Sequence, residues 1–477
     1  MERAARWWHM EKWRAFLAIG SSFFVIVWST SMTFVLLPDI AAEFDVTLGA
    51  VGWVVIIEAL IISALLLPFG GIADAIGRKS FLVAGLGVFA IGSVATGLAP
   101  SFTLLIAARA SMSIGNAMVQ AVGTGALVAS FAPHERGVAM GAQTIAVSLG
   151  AASGPLVGGY ALEYVSWGWL FVILAIPSGF SIAATLAFLA PDAPRKAASW
   201  RPSDPIGAIL SGLAVTGLII SMGDPFGVGF GSWAALAVAV ATVVLVAWFI
   251  KWELRQAAPV IDVRLFALPV VRIASTIRVL GFSAATTLQL LLPILLVSVR
   301  GVTPGTAGVV AAMMALGMAV GAKTAGPLYD RIGPRLPTMS GLIAQAALLL
   351  VFSRATSDTP IYWLAGLALV FGVAQSIWNV PNNSALMGAP PASALSVMGA
   401  FTNVNRTLGN VVGQTLAASI VVRVMVSDGF DIPLDEIADV AGASASFERG
   451  WWFAFALAAA LSIAGAVLAS RLPRGTG

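Results

Sequence analysis

Three observations predict an all-helical protein embedded in a membrane, built as two related six-helix bundles with a further helix pair between them. Apolar residues make up 59% of the chain and charged residues only 10%, with a mean hydropathy of +0.94, far from the values of water-soluble domains. The polar residues collect in short breaks between long apolar runs. One of those breaks, GGIADAIGRK from Gly70 to Lys79, returns as PLYDRIGPR from Pro327 to Arg335.

Backbone groups in lipid must be bonded internally, so a spanning chain is a helix or a closed barrel. Runs such as Leu236 to Ile250 lack the period-two alternation of barrel strands. With roughly 20 apolar residues per crossing, the chain holds about 12 to 14 spans.

In chain order, residues 1–14 mix Arg3, Arg6, Lys12 and Arg14 with Trp7, Trp8 and Trp13, as an interfacial segment does. The apolar run from Ala15 is too long for a cleaved signal peptide. An N-terminal bundle is expected over 15–190, with a first helix reaching Pro38 and then spans at about 50–70, 80–98, 102–128, 136–160 and 168–190. Linkers and two inserted helices, at about 205–222 and 232–251, fill 191–270. The C-terminal bundle covers 271–470, with spans at about 271–299, 306–328, 337–353, 360–386, 395–424 and 450–470, and 471–477 form a tail.

Alternating the sides puts Arg78, Lys79, Arg136, Arg195, Lys196, Lys251, Arg331, Arg335 and Arg471 on one face, and Asp428, Asp431, Asp435, Glu436 and Asp439 on the other. The basic face is expected to be cytoplasmic and to carry both termini. The net charge of +4 and pI near 9.7 therefore belong to topology and imply no nucleic acid. The acidic loop from Ser427 to Arg449 is expected to be a solvated connector. With 0 Cys there is no disulfide or thiolate site, and His9 and His134 stand far apart, so no metal is expected. No cofactor is implied, no G-x-x-x-x-G-K-[ST] loop is present, and no nucleophile with a base lies at depth, so no enzyme is expected.

The repeated turn aligns Asp74 with Asp330, an offset of 256 (330 minus 74), and the same offset carries Gly77 onto Gly333. A second pattern is GAQTIAVSLGAASGPLVGG, from Gly141 to Gly159. Gly150, Gly154 and Gly158 there leave a helix face almost without side chains, on which another backbone can lie closely, and Pro155 bends it. Gly399, Gly409 and Gly413 repeat the face at offsets of 258 and 259 from Gly141, Gly150 and Gly154.

Five charges fall within spans: Glu58, Arg109, Arg278, Lys323 and Arg406. Each costs about 2.5–3.5 kcal/mol at the bilayer centre, so some must be paired, hydrated or near an edge. Arg278 and Lys323 lie near the cytoplasmic ends of their helices and are expected to snorkel. Mid-depth polar and aromatic residues are Asn116, Gln120, Gln143, Gln289, Gln375, Trp378, Asn379, Asn382, Asn383, Asn403, Asn405 and Gln414. They suit a midplane substrate site between repeats or interhelical hydrogen bonds.

The turn from Gly70 to Lys79 and its second copy resemble the matching loops of the major facilitator superfamily. Over essentially the entire chain, the central helix pair included, the sequence resembles that superfamily's fourteen-helix drug:proton antiporters. The resemblance implies a gating role for Gly70, Asp74, Gly77, Arg78 and Lys79, a second latch at Asp330, Arg331, Gly333 and Arg335, and an antiporter signature, usual in exporters, at Gly150, Gly154, Pro155 and Gly158. LLIAARASMSIGNA resembles the family's fourth-helix arginine motif, which links Arg109 to proton transfer, and NRTLGNVVG resembles its Arg406 pattern. There are departures. The family's first helix carries an Asp nine residues before its Pro, where this chain has Ser29, and a Gln and Gly after the fourth-helix arginine are replaced by Met112 and Ser113.

Glu58, in VGWVVIIEALII, is the one carboxylate that the sequence places deep in the bilayer. Burial raises a carboxyl pKa, which suits a coupling proton site; a structural salt bridge to Arg109 or Arg406 is the other account, and the residues leave both open. The expected function is proton-coupled export of a small amphipathic organic compound or drug by alternating access, by a monomer in the cell membrane. Its partners would be substrate, protons and membrane lipids. A lipid or lipid-conjugate translocase, and a uniporter or symporter for an organic anion, are the rivals.

Overall fold

The computed structural model describes residues 2–46, 48–162, 164–190, 204–223, 233–256, 263–389, 395–430, 432, 437, 440 and 442–473. The first linker, most of the acidic loop and most of the tail lie outside them, as do the side chains of Arg3, Arg6, Trp7, Trp8, His9, Asp74 and Pro155.

The helices are α1 (Glu2–Glu43), the single turn α2 (Leu48–Val51), α3 (Trp53–Ile76), α4 (Arg78–Gly97), α5 (Phe102–Ala129), α6 (Arg136–Ala161), α7 (Trp167–Ile173) and α8 (Ala175–Phe188). The inserted pair follows as α9 (Pro205–Gly223) and α10 (Trp233–Glu253). The second bundle comprises α11 (Pro269–Ile294), α12 (Pro304–Ile332), α13 (Arg335–Phe352), α14 (Ile361–Gly388), α15 (Leu395–Ser427) and α16 (Ala443–Ala469). The described residues contain no strand. Twelve described segments are long and apolar enough to cross a membrane, α7 and α8 counting as one. The rods α6 and α9 complete the six, two and six order without meeting that measure: α6 is packed between α1 and α12, and α9 offers the shorter apolar run Ile206–Leu218. The protein is therefore a multi-pass membrane protein with two pseudo-symmetric bundles. One expectation shifts. The first helix runs past Pro38 to Glu43, where Glu43 Oε2 accepts a hydrogen bond from Trp167 Nε1 at 2.6 Å.

The duplication read from the sequence has matching backbone geometry. Gly77 and Gly333 both adopt positive φ, 111° and 75°, where a side chain would be strained. Each donates its N–H to the carbonyl four residues back, Ala73 at 3.0 Å and Tyr329 at 2.8 Å. The glycine faces correspond as well. Gly150 and Gly154 lie against α1 at Phe24, Ser31 and Met32, while Gly409 and Gly413 lie against α11 at Val279, Phe282 and Ser283. So α6 packs on α1 as α15 packs on α11, backbone to backbone.

The inserted pair is tied by Asp204. Its Oδ1 accepts the Gly207 N–H at 2.8 Å, capping α9, and the carboxylate takes the Trp252 indole N–H at 2.8 Å, holding the end of α10. Helix α9 rests on α3 and α15, whereas Leu236, Val240, Val243, Val244 and Trp248 of α10 are exposed, as lipid-facing residues are.

Burial is not distributed evenly between the bundles. The largest apolar cluster joins the first bundle to Val271, Ala274, Ala322, Ala325, Leu386, Met387, Leu395, Met398 and Ala469 of the second. All of these lie at the end of the molecule where α1 begins and α16 finishes. At the opposite end the second bundle has a separate cluster around Leu292, Phe352, Phe371, Trp451 and Phe455. The two halves thus share a core at their termini-bearing end.

Candidate substrate and proton site

A polar network, buried at Glu58, Arg109 and Asn116 and half-buried at Gln120 and Arg406, crosses the seam between the bundles. It starts at Glu58 on α3, 6% exposed, whose Oε2 pairs with the Arg109 guanidinium on α5. Oε1 accepts hydrogen bonds from Thr30 Oγ1 of α1 at 2.7 Å and Asn116 Nδ2 of α5 at 2.9 Å. Arg109 also donates Nε to the Val54 carbonyl at 3.3 Å, and its guanidinium lies 5.5 Å from the centre of the Phe171 ring. Asn116 Oδ1 accepts from Gln120 Nε2 at 2.8 Å, as residues four apart on a helix can. Gln120 Oε1 then accepts from the Arg406 guanidinium of α15 at 3.2 Å, and the Gln120 carbonyl accepts from Asn403 Nδ2 at 3.3 Å.

A second group adjoins it within the C-terminal bundle. Arg278 of α11 is 4% exposed; it donates Nε to the Thr402 carbonyl at 2.9 Å and a terminal nitrogen to Asn379 Oδ1 at 2.8 Å. The snorkelling expected of Arg278 is therefore corrected. The residue sits about 14 Å from the start of α11, at about 1.5 Å per residue, and its guanidinium is turned into the protein. Lys323, by contrast, is exposed. Asn116 and Gln120 have counterparts in Gln375 and Asn379 at an offset of 259 (375 minus 116, 379 minus 120), so amides at equivalent places on α5 and α14 face arginines of α15 and α11.

The other amides are dispersed. Gln143 Nε2 bonds Thr124 Oγ1 at 2.8 Å, Asn382 Nδ2 bonds the Ala274 carbonyl at 3.0 Å, and Asn383 Nδ2 reaches Met140 Sδ at 3.2 Å. Trp378 lies inside the C-terminal bundle, its Nε1 donating to Gln345 Oε1 at 2.7 Å and its ring beneath Gly281. Gln289 and Gln414 are exposed. Gln375 is buried with Oε1 unpartnered.

At the termini-bearing end, Asp330 closes the seam. Its carboxylate accepts the backbone N–H of Gly137 at 2.9 Å and of Val138 at 3.1 Å, at the first turn of α6, where a negative charge meets the helix dipole. Arg136 donates to the Gly388 carbonyl at 3.2 Å. Gly137 and Gly326 face each other so closely that a Cβ on either would strike the other's carbonyl oxygen. In the first copy of the turn, Lys79 Nζ donates to the Leu186 and Leu189 carbonyls at 2.8 and 2.7 Å, inside the N-terminal bundle, and Asp74's side chain lies outside the described residues.

The profile of the Major Facilitator Superfamily matches residues 19–414. The chain belongs to that superfamily. It is similar to the multidrug resistance protein Stp of Mycobacterium tuberculosis, 28% identical over 409 residues, 85% of this chain and 75% of that one. It is also similar to the riboflavin transporter RibZ of Clostridioides difficile, 25% identical over 409 residues, 86% of this chain and 88% of that one. Its fold matches the crystal structure of the human organic anion transporter MFSD10 with a TM-score of 0.67 at 16% identity, covering 94% of this chain and 99% of that one. As a superfamily member the protein is a transporter and not an enzyme.

The sequence singled out Glu58, Arg109 and Arg406 and offered a salt bridge from Glu58 to either arginine; the structure pairs Glu58 with Arg109 and reaches Arg406 only through Asn116 and Gln120. Thr30 went unnoticed although it follows Ser29, the place of the family's first-helix acid. Its hydroxyl ties α1 to Glu58. The signal was available only as the small polar run Ser29, Thr30, Ser31, which helices also use to pack.

Proposed function

We propose that the protein is a secondary transporter of the cell membrane, its termini cytoplasmic, that exports a small amphipathic organic compound in exchange for protons by alternating access, working as a monomer. The observation that carries this reading is the continuous path Glu58, Asn116, Gln120, Arg406, which joins the buried carboxylate of one half to a cation of the other. Protonation of Glu58 removes the charge that holds Arg109 and weakens the bond from Asn116. The path to Arg406 then loosens, and the seam between the halves loosens with it. Loading a proton in one half is thereby felt by the other, as rocking of two bundles about a central site requires.

Export is supported by the antiporter-like glycine run on α6 and by the similarity to Stp. The cytoplasmic assignment is supported by the basic residues Arg136, Arg331 and Arg335 at the termini-bearing end. The test uses inverted vesicles with a pH-sensitive dye. The wild type is expected to release protons when an amphipathic compound is added across an imposed gradient, and Glu58→Gln combined with Arg109→Met, which leaves neither charge unpaired, to abolish the response while facilitated exchange persists. Undiminished proton-driven transport by that double variant defeats the reading.

A further inference from the structure

The buried centre is unbalanced in charge. Arg109 is matched by Glu58, whereas the groups that Arg278 and Arg406 reach, the Thr402 carbonyl and the side chains of Asn379 and Gln120, are all neutral. No carboxylate forms an ion pair with either arginine among the described residues. The two lie near enough to act on one another electrostatically; Thr402, whose carbonyl holds Arg278, is one helical turn from Arg406. Nε of Arg406 is buried with no acceptor. Like charges drawn out of bulk water, one of them with a donor unfilled, are costly, and two planar guanidinium forks are suited to a flat or tetrahedral oxyanion. Beside Arg278 is an aromatic face, the Phe282 ring centre lying 5.0 Å from its guanidinium.

We propose that Arg278 and Arg406 form an anion clamp, and that the transported compound carries a carboxylate, sulfonate or phosphate group bound between them, with its apolar body toward Phe282. Gln120 Oε1 occupies Arg406 while the seam is shut and gives way to the anion when the halves part. The cargo assignment rests on the transport reading; the clamp itself does not. It also names a soluble organic anion or an anionic lipid headgroup as ligands of the same chemistry.

The experiment is thermal unfolding of the purified full chain in neutral detergent, with 2-naphthoate or the matched cation 2-naphthylmethylammonium, and separately with phosphatidylglycerol mixed micelles. The naphthoate is expected to raise the melting temperature and the ammonium not to. Arg278→Gln and Arg406→Gln should each weaken the apparent affinity at least tenfold, and Arg278→Lys, which keeps the charge, should recover part of it. Should an arginine variant fail to fold, Asn379→Ala is expected to give an intermediate loss by freeing Arg278. Stabilisation by phosphatidylglycerol alone, with the same arginine dependence, assigns the anion to a headgroup. Equal stabilisation by the cation, anion binding unchanged in the variants, or no stabilisation by either anion overturns the clamp. Arginine-dependent binding of naphthoate in a protein that moves no protons leaves the clamp standing and defeats the proton-coupled reading instead.

Discussion

The Arg406 guanidinium donates to Gln120 Oε1 at 3.2 Å across the seam between the bundles, and the same glutamine hands its Nε2 to Asn116 Oδ1 at 2.8 Å. A single amide therefore stands between the cation of one half and the carboxylate shell of the other. Its two ends are used in opposite senses: oxygen toward the arginine, nitrogen toward Glu58. A residue with only one polar function could not pass on a change at Glu58 in this way.

Gln120→Ala is expected to uncouple the two halves without unfolding either. A hydrogen bond to a charged group is worth about 1.5–3 kcal/mol, so substrate-induced proton release should fall on the order of tenfold. Substrate counterflow with the pH gradient collapsed should change far less. Measuring both in one vesicle preparation decides it; equal losses would make Gln120 a packing residue.

Asp330→Asn is expected to weaken the contact between the halves at the termini-bearing end, because the acceptor that meets the Gly137 and Val138 N–H groups loses its charge. A loss of about 1–2 kcal/mol shifts the closed and open populations by roughly tenfold. Spin labels at the exposed positions His134 and Arg331 should then report a longer distance between the halves. An unchanged distribution would show that the glycine contact alone holds the seam.

How much of this was legible in the chain differs between fold and site. The bundles, the inserted pair and the duplication could be read because lipid forces local hydrogen bonding, so apolar length and turn chemistry decide the topology: Gly77 and Gly333 announce it in both copies. The network was only half visible. That Glu58, Arg109 and Arg406 were costly followed from their depth, but which partner Glu58 takes depends on how α3 and α5 are rotated against each other, and local sequence does not encode that. Arg278 was misjudged for a related reason. Its distance along α11 was read as closeness to water, whereas the side chain's direction is set by the neighbouring α14 and α15, which offer Asn379 and the Thr402 carbonyl.

Glycines at the seam and within a bundle are expected to fail differently. A Cβ at Gly326 meets the Gly137 carbonyl of the other half, and one at Gly317 meets the Leu369 carbonyl of its own bundle. Overpacking costs about 1–3 kcal/mol. Gly326→Ala should therefore leave melting of the purified protein nearly unchanged and cut transport severalfold, by propping the seam open. Gly317→Ala should lower the melting temperature. Gly366→Ala, where nothing lies within 4 Å, serves as the control in both measurements.

The Glu58 and Arg109 pair allows the structural and the proton-handling accounts to be separated. Removing one partner of a buried ion pair leaves an uncompensated charge and costs about 3–5 kcal/mol, while replacing both by apolar or neutral groups of similar volume is often neutral. Arg109→Met alone is thus expected to yield little folded protein, and Glu58→Gln with Arg109→Met to restore the yield and the melting temperature to near wild type. If the pair is only a strut, that double variant should also transport against a pH gradient. If Glu58 carries the proton, the double variant should fold, exchange substrate across the membrane when the gradient is collapsed, and stay deaf to pH when it is imposed. Vesicle transport by the double variant, with and without the gradient, therefore separates the two accounts, because stability has been restored in the very protein where coupling is measured.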